Sequence, residues 1–141
     1  MKNSLIAMLL GMTAFVSGCS ILHHSDTHAL QGTWRGYELG RPTNATYKVS
    51  FSGNTLDYRG ASPSDWCKGT FTLREDTHPK QLIGVMTECV DTQFVGKAVH
   101  AIYKIEQDTL TLSGKAPGNA EAPTDFGADY SRTLVLKKQQ N

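Results

Sequence analysis

The chain has 141 residues, with 14 Lys and Arg against 13 Asp and Glu, a formal net charge of +1. This length suits one domain, and the absence of runs of like charge argues against a basic nucleic-acid-binding surface or an acidic tail. With 39% hydrophobic and 19% charged residues, the composition is that of a folded domain and not of a disordered polymer.

The N-terminal segment predicts export. Lys2 provides a basic start, and an unbroken apolar run extends from Leu5 to Val16. A transmembrane helix needs about 20 apolar residues, whereas the apolar region of a signal peptide needs only about 7–15. Because the run is too short to span a bilayer, residues 1–18 are predicted to be a cleaved signal peptide.

The signal ends at Val16-Ser17-Gly18-Cys19, which resembles the bacterial lipobox. The resemblance implies that cleavage leaves Cys19 as the first residue and that it carries three acyl chains, palmitate among them. At about 0.8 kcal/mol per buried CH₂, such an anchor is effectively permanent. The alternative is an ordinary signal peptide with a chance cysteine, which would leave one of the three cysteines of an exported protein unpaired.

The residues after Cys19 bear on location. Ser20 follows the cysteine where an inner-membrane lipoprotein would have Asp, and in a Gram-negative cell this implies the periplasmic face of the outer membrane. Residues 19–29 are polar and without period, which predicts a lipidated N-terminus and flexible tether. The tether contains His23, His24 and His28, but a flexible segment offers no fixed geometry for a metal, so we expect none.

Beyond Leu30 the hydrophobic pattern has period two, which predicts an all-β domain over residues 30–138. Eight antiparallel strands in succession would close into an up-and-down barrel, because closure removes exposed edges. The predicted strands span residues 32–39, 45–52, 56–60, 66–73, 81–89, 97–105, 110–113 and 131–137.

Two hairpins can be put in register because one pairing places all their apolar side chains on one face. Each is predicted to have a four-residue turn. The predicted pairs are Phe51 with Leu56 and Val49 with Tyr58 in the first, and Ile105 with Leu110 and Tyr103 with Leu112 in the second.

The hairpin between these two carries the remaining cysteines. Its predicted pairs are Leu73 with Ile83, Phe71 with Val85, Gly69 with Thr87 and Cys67 with Cys89. Directly opposed residues lie about 4.5–5.5 Å apart between Cα atoms, within the range that a disulfide requires, and export favours the bond. We therefore predict a Cys67 to Cys89 disulfide. The alternative is two free buried thiols.

The first strand begins with Leu30-Gln31-Gly32-Thr33-Trp34, and its Gly-x-Trp resembles the lipocalin and calycin signature. The chain also resembles a family of small, exported, lipocalin-like bacterial domains of unassigned function. The resemblance implies that Trp34 closes one barrel end under a basic side chain from near the last strand, here Arg132. Gly32, Trp34 and Arg132 would then be structural. Trp34 as an ordinary core residue is the alternative. The further segments that carry the resemblance are 69–73 with Pro79-Lys80, then 101–112, and 123–126.

The interior is predicted to be lined by alternate residues of the strands. Because the side chains of eight strands can just fill such an interior, we expect a mostly filled core, with a small ligand cavity as the alternative. The predicted inward-facing residues are Tyr47, Val49, Phe51, Leu56, Tyr58, Phe71, Leu73, Ile83, Val85, Tyr103, Ile105, Leu110, Leu112 and Val135.

One barrel mouth is predicted between residues 59–66 and the connection 114–130. That connection is too long for a hairpin turn, which indicates a lid, a contact surface or a mobile segment. The candidate ligand contacts are Tyr58, Trp66, Tyr103, Phe126 and Tyr130.

The sequence shows no nucleophile beside a base, no metal cluster and no opposed carboxylates, so we expect no catalytic residues, no enzyme and no cofactor. His100 alternates with Val99 and Ala101, which predicts a solvent-facing strand residue and not a general base.

Two functions follow as hypotheses. The first is a monomeric, lipid-anchored envelope protein that binds a small apolar or amphipathic ligand. The second is an envelope interaction module, an inhibitor or assembly factor, with a filled core. Barrel lipoproteins that inhibit lysozymes have such a role, but their motifs are absent here. The expected partners are the bilayer, through Cys19, and a small ligand or an envelope protein, not nucleic acid.

Overall fold

The computed structural model describes residues 25–42, 44–127 and 130–140. The signal peptide and Cys19 lie outside the described residues. No helix in the described ranges is long and apolar enough to cross a membrane. The elements are a short helix, α1 (Asp26–Leu30), a turn of 3₁₀ helix (Thr92–Phe94) and the strands β1 (Gly32–Glu38), β2 (Tyr47–Ser52), β3 (Thr55–Arg59), β4 (Trp66–Arg74), β5 (Lys80–Cys89), β6 (Ala98–Glu106), β7 (Thr109–Gly114) and β8 (Arg132–Lys138).

The eight strands form a closed antiparallel barrel. Each strand pairs with the next in the chain, and β8 pairs with β1 to close the sheet. Alternation along the strands places one set of side chains in the interior and the other on the outer wall. The predicted all-β, up-and-down architecture is confirmed.

The two hairpins β2–β3 and β6–β7 have the predicted registers. All four predicted pairs are present, namely Phe51 with Leu56, Val49 with Tyr58, Ile105 with Leu110 and Tyr103 with Leu112. The strands continue one pair further, so each turn has two residues and not four. Gly53 and Gln107 each begin such a turn with a φ of 58°, the left-handed conformation that tight hairpin turns require.

The hairpin β4–β5 contains the predicted disulfide and an unpredicted bulge. The Cys67 and Cys89 sulfurs are bonded at 2.01 Å, and the two residues pair directly. The register then shifts by one residue between Lys68 and Gly69. Three predicted pairs are therefore wrong, because Gly69 pairs with Met86, Phe71 with Gly84 and Leu73 with Leu82.

Gly69 explains why the bulge is accommodated. A Cβ at this position would lie 2.3 Å from the Val85 carbonyl oxygen, so the close approach of β4 to β5 requires glycine. One extra residue in β5 reverses the facing of every residue before it. Leu82 and Met86 are consequently buried, whereas Ile83 is half-buried and Val85 is 42% exposed. The prediction that Ile83 and Val85 line the interior is wrong.

On β8 the inward residues are Leu134 and Leu136, both buried. Val135 lies between them and faces the outer wall, so its predicted inward position is also wrong. The long β7–β8 connection returns along this wall. Thr133 Oγ1 donates a hydrogen bond to the Phe126 carbonyl oxygen at 2.8 Å, and Pro123 is buried. This part of the connection is a contact surface against the barrel itself.

The barrel has two different ends. At the closed end, α1 and the two-residue turns meet a dense core. Leu30 and Trp34 are fully buried there, and Trp34 Nε1 donates a hydrogen bond to the Leu30 carbonyl oxygen at 2.7 Å. At the open end, the connections after β1, β3, β5 and β7 surround an opening.

Helix α1 replaces the last part of the predicted tether. The Asp26 carboxylate accepts hydrogen bonds from Lys80 Nζ at 2.7 Å and from the Tyr103 hydroxyl at 2.8 Å, and its backbone N–H donates to Glu75 Oε1. These contacts and the burial of Leu30 hold α1 on the barrel. The tether prediction is therefore wrong for residues 26–29.

Candidate functional site

The barrel interior contains a cavity of about 560 Å³ that opens at the open end. Ligand pockets are typically clefts of about 300–1,000 Å³ with mostly apolar walls. The expected filled core is present in the closed half of the barrel, whereas the open half contains the alternative, a cavity. The apolar wall is formed by Val49, Phe51, Leu56, Leu82, Met86, Val99, Leu112 and Leu134.

Small residues on three adjacent strands leave room for the cavity. Gly84 of β5, Ala101 of β6 and Gly114 of β7 all line it. A Cβ at Gly114 would lie 3.3 Å from the Cβ of Ala101, and a Cβ at Gly84 would lie 3.4 Å from a methyl group of Leu56. Larger side chains at these positions would occupy the lumen.

A charged bridge crosses the mouth of this cavity. Arg132 of β8 donates from Nη1 to Asp65 Oδ2 at 3.0 Å and also to the Tyr58 hydroxyl. The Tyr58 hydroxyl donates to the same Asp65 oxygen at 3.0 Å. Two strands, β1 and β2, separate β8 from β3 in the barrel. The bridge therefore joins opposite parts of the rim and does not reinforce one strand pair.

Glu38 extends the bridge to β1. Its side chain is largely buried, and Oε2 accepts a hydrogen bond from the Tyr47 hydroxyl at 2.6 Å and lies 3.4 Å from Arg132 Nε. Arg41 Nε is 3.7 Å from the other Glu38 oxygen, Oε1. The Arg132 guanidinium also lies 5.6 Å from the centroid of the Tyr47 ring, within the range of a cation–π contact.

Proton affinities at the mouth follow from this network. The hydrogen bond to Glu38 raises the pKa of Tyr47, and burial raises the pKa of Tyr58. Burial alone would lower the pKa of Arg132, but its neighbours Tyr58, Asp65 and Glu38 outweigh that effect and raise it. At neutral pH the mouth therefore holds a charged guanidinium and neutral phenols.

The structure brings together three of the five predicted ligand contacts. Tyr58, Trp66 and Tyr130 line the opening, whereas Tyr103 and Phe126 do not. Tyr103 is 1% exposed in the closed half, where its hydroxyl contacts Asp26 on α1. Phe126 lies outside the lumen because the β7–β8 connection turns back over the wall, and its ring is 5.4 Å from Lys104 Nζ.

The predicted contact of Trp34 with Arg132 is wrong. The β1–β8 register pairs Trp34 with Lys138 and Glu38 with Leu134, so Arg132 lies at the opposite end of β8. Lys138 Nζ is 5.2 Å from the centroid of the Trp34 ring. A basic side chain of the last strand does lie over Trp34, but it is Lys138.

Sequence reasoning missed Glu38 and Asp65, and it assigned Arg132 to the wrong end. A signal for two of them is present. Glu38 shares the inward face of β1 with Trp34, and Arg132 shares the inward face of β8 with Leu134. A charged residue on an otherwise apolar inward face, at a strand end, indicates a polar rim.

Within the described ranges, no three His, Cys, Asp or Glu side chains form a group that could hold a metal ion. The barrel is consistent with the lipocalin-like fold that the Gly-x-Trp resemblance implies. Comparison of the chain with protein-family models, with curated proteins and with solved structures gives no match. Function must therefore be argued from the site.

Proposed function

We propose that this chain is a lipid-anchored protein of the bacterial cell envelope whose barrel binds a small apolar or amphipathic ligand. The observation that carries the proposal is the apolar cavity of about 560 Å³ with a charged rim at its single described mouth. Burial of an apolar chain in such a cavity is favourable by about 25 cal/mol per Å². A polar group of the ligand would remain at the rim. The role is binding and not catalysis.

The anchor in this proposal rests on the lipobox resemblance at Cys19. Helix α1 begins at Asp26, next to the closed end of the barrel. A chain spans at most about 3.6 Å per residue, so an acylated Cys19 would keep the closed end within about 25 Å of the bilayer. The closed end, and not the mouth, would then be the end attached to the anchor.

Ligand binding is tested with the mature domain purified without detergent. We expect saturable binding of N-phenyl-1-naphthylamine, a neutral apolar fluorescent probe. Ala101→Phe should weaken binding by about tenfold or more, because its ring would occupy the lumen beside Gly114. Val85→Phe is the matched control, since Val85 faces the outer wall. Absence of binding by the unaltered domain, or equal binding by both variants, would contradict the proposal.

The anchor is tested by metabolic labelling with palmitate. Cys19→Ser should carry no label and should remain unprocessed, because the thiol is the acylated group. Ser20→Asp is the control: it should keep the label and, in a Gram-negative cell, move the protein to the inner membrane. Label retained by Cys19→Ser would refute the lipobox interpretation.

A second candidate, an envelope interaction module, is favoured by apolar side chains exposed around the open end. Crosslinking in cells should then capture a defined partner that is lost when Val90 and Val95 are replaced by Ser. Replacement of Tyr37, exposed on the outer wall, is the control. No capture above background would remove this candidate. The exposed apolar side chains around the open end are those of Leu39, Val90, Val95 and Tyr130.

A further inference from the structure

Resting on the proposed ligand-binding function, we propose that the ligand has an anionic head group, a carboxylate or a phosphate, that binds Arg132 at the mouth while its apolar chain enters the barrel. Lys115 and Arg41 would supply additional positive charge to the same head group. This assignment names a ligand class, an anionic single-chain amphiphile, and the side chain that selects it.

The first support is the set of donors still available at the mouth. A guanidinium has five N–H donors. Arg132 uses Nη1 for Tyr58 and Asp65 and directs Nε toward Glu38, and Nη2 forms no hydrogen bond within the described part of the chain. Lys115 also lines the opening and has no ion pair with a described residue. An anionic head group could therefore accept hydrogen bonds from Arg132 Nη2 and from Lys115 without displacing a partner that these groups already have.

The second support is that the carboxylates at the mouth already have hydrogen-bond donors. Each of the three carboxylates that line the mouth already accepts hydrogen bonds from the protein. A cationic head group would have to compete with those donors, whereas an anionic one would not. The three carboxylates are Glu38, bonded by Tyr47, Asp65, bonded by Tyr58 and Arg132, and Asp91, bonded by the backbone N–H and side-chain amide of Gln93.

The third support is position. Arg132 lies directly beyond the apolar wall, two residues from Leu134 on the same inward face of β8. A head group at Arg132 would place a continuous chain among Leu56, Leu82 and Leu134. The arginine side chain is 42% exposed, so its hydrogen bonds to an anion would be shielded from water only in part. Guanidinium groups suit carboxylate and phosphate because both can be bound by two parallel N–H donors.

Asp65 is the negative charge bonded to Arg132, and it would repel an anionic head group bound at the neighbouring Nη2. Its side chain is 40% exposed and belongs to the β3–β4 connection, outside the strands. Its carboxylate oxygen Oδ2 lies 3.0 Å from Arg132 Nη1, so it offsets part of the positive charge that an anion would bind. Removal of this negative charge should therefore strengthen the preference for anions.

The experiment measures displacement of N-phenyl-1-naphthylamine from the mature domain at pH 7.5 by four amphiphiles of equal chain length, below their micelle concentrations. They are dodecanoate, dodecyl phosphate, dodecanol and dodecyltrimethylammonium. We expect at least one of the anions to displace the probe at a concentration about tenfold lower than dodecanol, and the cation to be weakest. The carboxylate and phosphate arms distinguish the two possible sources of the head group.

Variants test whether Arg132 is the residue that causes the preference for anionic amphiphiles over the alcohol. Arg132→Gln should reduce the anion-to-alcohol ratio to near one, Arg132→Lys should retain part of it, and Asp65→Asn should increase it by about threefold or more. Arg74→Gln, an exposed arginine at the other end of β4, is the matched control and should leave the ratio unchanged. Circular dichroism checks that each variant is folded. If Arg132→Gln does not fold, Lys115→Gln and Asp65→Asn carry the test with opposite expected signs.

The outcomes separate the two proposals. If the unaltered domain binds the probe but the anions and dodecanol displace it equally, or the cation displaces it best, the head-group inference is overturned and the proposed function stands. A preference that survives in Arg132→Gln would also overturn the inference. If neither the probe nor any amphiphile binds, the proposed function fails and the inference with it.

Discussion

The closed and open ends of this barrel use the same eight strands for different purposes. At the closed end the inward side chains are large, and Leu30, Trp34, Leu110 and Leu136 are fully buried. At the open end the strands carry small residues around the cavity and charged residues at the rim. The comparison shows that side-chain volume on the inward face, and not the sheet, decides where a barrel is filled and where it can hold a ligand.

The two ends are also held together by different interactions. The closed end is sealed by α1, with Lys138 Nζ donating to the Ala29 carbonyl oxygen at 3.0 Å and Asp26 bonded to Lys80 and Tyr103. The open end has no such packing among its described residues. It is held by the Cys67 to Cys89 disulfide and by the Arg132 bridge across the mouth.

The largest effect is expected from the closed end. Trp34→Ala should lower the free energy of unfolding by about 3–5 kcal/mol, because it removes a fully buried ring and its hydrogen bond to Leu30. Leu112→Ala, beside the cavity, should cost about 2 kcal/mol, since its neighbours are already incompletely packed. Urea unfolding measures both. Equal losses would show that the ends do not differ in packing as described.

The next largest loss of stability is expected from removal of the disulfide, which lies at the open end. Cys67→Ala and Cys89→Ala should each lower stability by about 2–4 kcal/mol, and the double variant by little more, because either change removes the same bond. Urea unfolding of the three variants checks this. Mass analysis without reductant should find both thiols blocked. Strictly additive losses would contradict a single shared interaction.

Asp26, at the closed end, makes a contribution to the free energy of unfolding that depends on pH. Burial alone would raise the pKa of Asp26, but the hydrogen bonds from Lys80 and Tyr103 outweigh it and lower the pKa below its ordinary value of 3.8. A carboxyl with a lowered pKa in the folded state stabilises above the unfolded value, and this stabilisation is lost as pH falls through the folded pKa. Asp26→Asn should therefore cost about 1 kcal/mol at pH 7 and progressively less below pH 3.8.

The measurement is urea unfolding of both proteins between pH 7 and pH 2.5. Asp76→Asn, an exposed aspartate in the β4–β5 connection at the same end, is the matched control. A difference between Asp26→Asn and the unaltered protein that is independent of pH would contradict the assignment of the effect to the Asp26 carboxylate.

The smallest expected effect identifies which basic residue covers Trp34. Lys138→Gln should cost about 0.5–1 kcal/mol through the lost cation–π contact and the lost hydrogen bond to Ala29. A double-mutant cycle with Trp34→Phe should give a coupling for Lys138 and none for Arg132, because Arg132 lies at the other end of β8. Coupling of Trp34 to Arg132 would contradict the placement of Lys138 over the Trp34 ring.

Much of the fold could be predicted from the sequence, for a local reason. In the β2–β3 and β6–β7 hairpins, two strands are joined by a short turn, so one alternation pattern fixes both the pairing and the buried face. The cysteine pair was predicted correctly, although the other three pairs of the register used to derive it are displaced by the bulge between Lys68 and Gly69. The rim of the candidate site was only partly predictable. Tyr58 and Trp66 are strand residues beside the β3–β4 connection and Tyr130 lies in the β7–β8 connection, so their place at one end could be predicted. Glu38 carries a signal on the inward face of β1, whereas Asp65, in a connection, has none.

By itself, the sequence determined the all-β class, the strand order and two hairpin registers, since each depends on neighbours in the chain or on alternation within a strand. The tertiary structure alone decided the rest. The bulge at Gly69 depends on how closely two backbones approach, and the partner of Trp34 depends on the register between the first and last strands, over 100 residues apart. The cavity depends on Gly84, Ala101 and Gly114 meeting inside a closed sheet, because empty volume belongs to no single strand.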